Sequence, residues 1–79
     1  MARVLLFGPL ADLAGWRERA IEADNVAALK QQLAFEDADL GEALSGAGVL
    51  IAVDQAIVRG AATLTSASEV AFLPPMSGG

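Results

Sequence analysis

One helical face and a few short strand-forming runs are all that this chain offers for building a core. Val26, Leu29 and Leu33 recur at i, i+3 and i+7, with Lys30, Gln31 and Gln32 between them on the wet side. That spacing predicts a helix over residues 26–35. Asp24-Asn25 stands just ahead of it, where a short side-chain oxygen accepts an orphan N–H of the first turn. The other apolar runs are short and punctuated. Residues 3–8 read as a strand stopped by Gly8-Pro9, and residues 10–15 as a helical turn closed by Gly15. Trp16 to Glu22 reads as a second strand, hairpin-paired to the first. Asp39 to Leu44 suits a short helical turn, ended by Ser45-Gly46-Ala47-Gly48. Val49 to Val53 reads as a strand buried on both faces, and Asp54-Gln55 as a tight turn into a short strand at Ala56 to Arg59. Residues 60–68 are small and polar, hence loop, and Glu69 to Leu73 is the last strand. One main helix against four or five strands makes an α+β domain. The helix should cross one face of a mixed sheet, with the first and last strands side by side in its centre.

Composition narrows the chemistry. The chain of 79 residues contains no cysteine, histidine or tyrosine. A disulfide, a thiolate metal site and the commonest general base are therefore all excluded, and a self-sufficient enzyme is not expected. Ten acidic against five basic residues leave a net charge of −5. The scattered Arg3, Arg17, Arg19, Lys30 and Arg59 form no basic patch, so no nucleic-acid partner is expected. Asp37, Asp39 and Glu42 lack the glycine and terminal glutamate of a calcium loop and read as a solvated acidic face. Met1-Ala2-Arg3 leads straight into a strand-like run, and no apolar stretch is long enough to span a bilayer. The expectation is a soluble, cytoplasmic protein with no membrane partner.

The last six residues, Pro74-Pro75-Met76-Ser77-Gly78-Gly79, carry the functional signal. Proline cannot donate to a ladder, so Pro74-Pro75 should end the last strand and favour an extended continuation. We expect residues 1–73 to form the body and 74–79 an extended tail, which at full stretch spans about 20 Å. Gly78-Gly79 has no Cβ and can thread a narrow site. Its one reactive group is the α-carboxylate of Gly79, ionised at neutral pH. The expectation is that the chain presents its own C-terminus as a substrate. A carboxylate is a poor electrophile, and there is no Gly-rich phosphate loop here, so a different protein must activate it.

The ending Glu69-Val70-Ala71-Phe72-Leu73-Pro74-Pro75-Met76-Ser77-Gly78-Gly79 resembles that of the small subunits of molybdopterin synthase. The opening Arg3-Val4-Leu5-Leu6-Phe7-Gly8 with Leu13-Ala14-Gly15 is similar too, as are Val26-Ala27-Ala28-Leu29, Leu33 and Ile51-Ala52-Val53-Asp54-Gln55. The resemblance covers essentially the whole chain. It implies a ubiquitin-like β-grasp fold and the role of a sulfur carrier within a heterotetrameric synthase. Gly79 would be adenylated by a ubiquitin-activating-type adenylyltransferase, which uses ATP and Mg, and then converted to a thiocarboxylate by a sulfur donor enzyme. The large synthase subunit would take the tail, and the sulfur would pass to cyclic pyranopterin monophosphate. The chain itself would bind no cofactor or metal. Gly78 would give access, and Phe7, Leu73, Pro74, Pro75, Met76 and Ser77 would meet the partners. In the same fold, a carrier for thiamine or another thioacid pathway, a protein modifier, or an adaptor are the alternatives.

Alternation along the first strand puts Val4 and Leu6 on one side and Leu5 and Phe7 on the other. Along the last strand, Val70 and Phe72 oppose Leu73. A single helix covers one face only, so Phe7 and Leu73 are candidates for an exposed apolar patch near the tail. Two departures from the family pattern stand out. Ala11 occupies a position that is often charged, and Ser66-Ala67-Ser68 replaces a turn that often contains glycine.

Overall fold

The computed structural model describes residues 1–59 and 62–75. Strand β1 (Ala2–Leu6) leads through helix α1 (Pro9–Ala14) to β2 (Glu18–Ile21). Helices α2 (Val26–Glu36) and α3 (Ala38–Leu44) follow, then β3 (Leu50–Val53), β4 (Ala56–Val58) and β5 (Glu69–Leu73). The strands form one five-stranded sheet in the order β2-β1-β5-β3-β4. β1 and β5 are parallel neighbours in the middle; the pairings β1–β2, β3–β4 and β3–β5 are antiparallel. This mixed sheet with α2 across one face is the ubiquitin-like β-grasp.

Periodicity explains which face closes. Ala2, Val4 and Leu6 of β1 and Val70 and Phe72 of β5 are buried and point at the helices. Val26, Leu29 and Leu33 meet them from α2, as the helical spacing requires. Burying side chains of this size stabilises by roughly 1.5–3 kcal/mol each. Asn25 starts α2 with its Oδ1 accepting from the Ala28 N–H at 2.7 Å. Asp37 does the same for α3 through the Leu40 N–H at 3.1 Å, which gives this acidic residue a structural task.

Several elements differ from the sequence expectation. The second strand begins at Glu18, not Trp16. Trp16 instead packs half-buried against the core, with the Arg19 guanidinium 5.0 Å from its ring centre. The 39–44 turn is a full helix, α3, and Leu40 and Leu44 join the core. β3 is not buried on both faces: Leu50 is 41% exposed, because among the described residues no element packs on the second side of the sheet. The 62–68 stretch is pinned even though it is irregular. Val26 N–H donates to Ala62 O at 3.0 Å, Leu64 N–H to Asp24 O at 2.8 Å, and Leu64 is buried. Ser66-Ala67-Ser68 turns without positive φ, since the only non-glycine residues with positive φ among those described are Asp54 and Gln55. Ser68 Oγ accepts the Thr65 N–H at 2.9 Å and does the work of a glycine turn. Ala11 is buried in the core, a position where a charge would need a partner.

Helices α2 and α3 approach each other closely at Gly41. A Cβ there would stand 2.6 Å from Ala34 Cα and closer still to Ala34 Cβ. Helix propensity alone favours Ala over Gly by about 1 kcal/mol. Overpacking against a helix backbone outweighs it, so Gly41→Ala should lower the unfolding free energy by roughly 1–3 kcal/mol. Urea denaturation measures this, and a raised midpoint would contradict the close approach.

Candidate functional site

The second sheet face carries the surface of interest. Its register sets Leu5 beside Ala71, Ala71 beside Ala52, and Ala52 beside Ile57, a single row across four strands. Small alanines in the middle of that row, flanked by larger side chains, leave a depression of about 280 Å³. Leu5, Phe7, Ala52, Ala71 and Leu73 line it, and Gln55 and Glu69 supply its polar groups. The next row pairs Leu50 with Leu73. Phe7, Leu50 and Ile57 are 44%, 41% and 51% exposed, so a contiguous apolar patch faces water.

The patch is graded along the strands. At the start of β1 and β5, Arg3 lies between Glu18 of β2 and Glu69 of β5. Arg3 Nε donates to Glu18 Oε2 at 2.8 Å. That hydrogen bond and the charge of Glu18, with a smaller contribution from Glu69, hold the guanidinium above its ordinary pKa. Both partners are exposed, and an ion pair of this kind adds little stability in water. Its consequence is spatial: charge gathers at the end where β1 and β5 begin. Apolar surface gathers at the end where β5 finishes.

β5 delivers the tail to that apolar end. The Phe7 N–H donates to Phe72 O at 3.3 Å, so the residue after β1 is held beside the last turns of β5. Pro74 is half-buried and Pro75 exposed, both outside any regular element. Pro74 stands against Gly8 and Pro75 against Gly48. Phe7, Leu73, Pro74 and Pro75 are thus gathered at one end of the sheet. Met76, Ser77, Gly78 and Gly79 lie outside the described residues. Alternation along β1 and β5 was enough to place Phe7 and Leu73 on this face. Periodicity alone singles out neither Leu50 nor Ile57, although the two-residue Asp54-Gln55 hairpin fixes their register. In the sequence, Gly8 and Gly48 signal only breaks between elements.

Among the described residues, no group of three or more Asp, Glu, His or Cys side chains is placed to hold a metal. None of the described helices is long and apolar enough to cross a membrane. The described residues of the site are an exposed apolar face and, beside it, Pro74 and Pro75 at the end of β5.

Comparison with known proteins places the chain in a family. The model of the ThiS family matches residues 4–79. The chain belongs to the ThiS family. The molybdopterin synthase sulfur carrier subunit of Escherichia coli (strain K12) is 37% identical over 81 residues, covering all of both chains. Among solved structures, small archaeal modifier protein 1 of Methanosarcina acetivorans superposes with a TM-score of 0.86 at 22% identity, covering 99% of this ThiS-family chain and 95% of its own. The complex of subunits 1 and 2 of the molybdopterin-converting factor from Helicobacter pylori 26695 contains a chain that superposes with a TM-score of 0.72 at 22% identity. The match covers 99% of this chain and 97% of that one. At such identities the two structures speak for the fold alone.

The two sheet faces should respond differently to truncation. Phe7→Ser and Ile57→Ser should each change stability by no more than about 0.5 kcal/mol. Phe72→Ala, on the closed face, should cost about 3–5 kcal/mol. Thermal unfolding of the three variants measures this, and comparable losses for all three would mean that the open face is part of the core.

Proposed function

We propose that this chain is the sulfur-carrier subunit of a molybdopterin synthase, with Gly79 as the bearer of sulfur. The observation that carries the reading is the 37% identity to the E. coli sulfur carrier subunit over the whole of both chains. The modifier protein superposes more closely than the synthase chain, but both are 22% identical, and shared shape does not distinguish a carrier from a modifier. The composition supports the same reading. With no cysteine or histidine, the chain has no side chain suited to carrying sulfur covalently.

The chemistry then runs through partners. A ubiquitin-activating-type adenylyltransferase joins the Gly79 carboxylate to the α-phosphate of ATP, with Mg, and pyrophosphate leaves. A sulfur nucleophile from a donor enzyme attacks the acyl carbon, and AMP leaves. The resulting thiocarboxylate enters the large synthase subunit, as Gly78 and Gly79 present no Cβ to obstruct it. There its sulfur forms a bond to cyclic pyranopterin monophosphate, water hydrolyses the resulting thioester at the Gly79 acyl carbon, and the tail returns as a carboxylate. The chain is a donor within a sulfur transferase and does no catalysis alone. The apolar face around Phe7 and Leu73 meets the large subunit, and Pro74, Pro75, Met76 and Ser77 guide the tail into it. Residues 1–73 act as the body and 74–79 as the tail. The setting is cytoplasmic, where ATP and the activating partner are found.

Removing Gly79, or adding one residue after it, should abolish sulfur transfer to the pterin precursor while far-UV circular dichroism and melting stay unchanged. Retained transfer by either variant would contradict the carrier role. Covalent attachment of the intact chain to lysines of other proteins, without pterin sulfuration, would favour a modifier.

A further inference from the structure

β5 ends between two neighbours whose loops return to the same place. β1 runs parallel to β5 and stops beside it, with Leu6 opposite Phe72. β3 runs antiparallel and starts there, with Leu50 opposite Leu73. Gly8, two residues past the end of β1, and Gly48, two residues ahead of β3, therefore stand on either side of the strand's exit. Both have positive φ, 56° for Gly8 and 87° for Gly48. Side-chain-bearing residues rarely adopt such angles. A Cβ on Gly8 would lie 3.3 Å from Pro74 Cγ, and one on Gly48 would lie 3.0 Å from Pro75 Cβ. Gly8 has a second task, since its carbonyl accepts the Ala11 N–H at 3.1 Å in the first turn of α1. At Gly48 the three nearest atoms that an added Cβ would meet all belong to Pro75.

We propose that Gly8 and Gly48 are positioning residues, a collar of bare backbone against Pro74 and Pro75 that sets the direction in which the tail leaves the sheet. The proposal rests on the carrier reading and adds how the tail is aimed. Proline supplies one half of the device, because its ring fixes φ and stiffens the root. The glycines supply the other, because a Cβ at either position would press on a proline ring and push it aside by a few tenths of an ångström. Four residues beyond Pro75 span at most about 14 Å. A tilt of about 10° at the root therefore moves the tip by about 2 Å, more than the misplacement known to cost reactions a large factor in rate. Docking of the body through the apolar face fixes the origin of the tail, and the collar fixes its bearing.

The test is a double-mutant cycle on Gly48 and Pro75, with each chain preloaded as the thiocarboxylate and mixed with the large subunit. Gly48→Ala should slow single-turnover sulfur transfer at saturating partner about tenfold or more, and leave the half-saturating partner concentration unchanged. In a Pro75→Gly background, where the facing Cβ is gone, the same substitution should add little further slowing. A defect of folding alone would lower the melting temperature and the rate alike in both backgrounds; that result, or an unchanged rate in Gly48→Ala, would overturn the collar. Amide spectra of the free chains give a readout independent of transfer. Gly48→Ala should displace the Met76 amide signal in the native background, and an unmoved signal would count against the collar. If the unsubstituted chain transfers no sulfur, the carrier reading fails, and the spectra still decide the geometry.

Discussion

Two-sided hydrogen bonding of β5, parallel to β1 and antiparallel to β3, is the constraint from which the rest of this molecule follows. A central strand cannot fray without opening the sheet on both sides. Val70 and Phe72, fully buried against α2 and its neighbours, add core packing to that ladder. Residues 74 and 75 thus follow directly from an interior strand paired on both sides. Pairing stops at Pro74 because it brings no N–H.

The sheet's two faces divide the labour. Three helices close one face, while the other stays open with an alanine-floored depression between larger apolar side chains. Exposed apolar area of this kind costs solubility, and the charged end around Arg3, Glu18 and Glu69, together with a net charge of −5, counteracts it. Surplus acid also biases encounters toward a basic partner surface. The apolar end of the face coincides with the end of β5 and with Pro74 and Pro75.

Much of this was legible in the residues. The i, i+3, i+7 spacing of Val26, Leu29 and Leu33 revealed α2, and alternation sorted Val4 and Leu6 from Leu5 and Phe7, since both periods are local properties of the chain. What escaped was tertiary. Val49–Val53 looks buried on both faces because a continuous apolar run does not say whether a second layer exists; here none covers Leu50. Leu64 sits in a polar, irregular stretch, and only the backbone bonds to Asp24 and α2 bring it into the core. Ala11 and Gly41 owe their identities to neighbours distant or newly turned in sequence. The roles of Gly8 and Gly48 depend on two loops that meet only when β1 and β3 flank β5.

If the reactive group of this protein is a main-chain carboxylate, inert until another protein primes it, intact-mass spectrometry with C-terminal fragmentation will locate the sulfur after incubation with the activating enzyme, ATP and a sulfur donor. One oxygen should be replaced by one sulfur, and the change should map to Gly79. Sulfur found on any other residue, or an unmodified Gly79 under conditions where the pterin product forms, would contradict it.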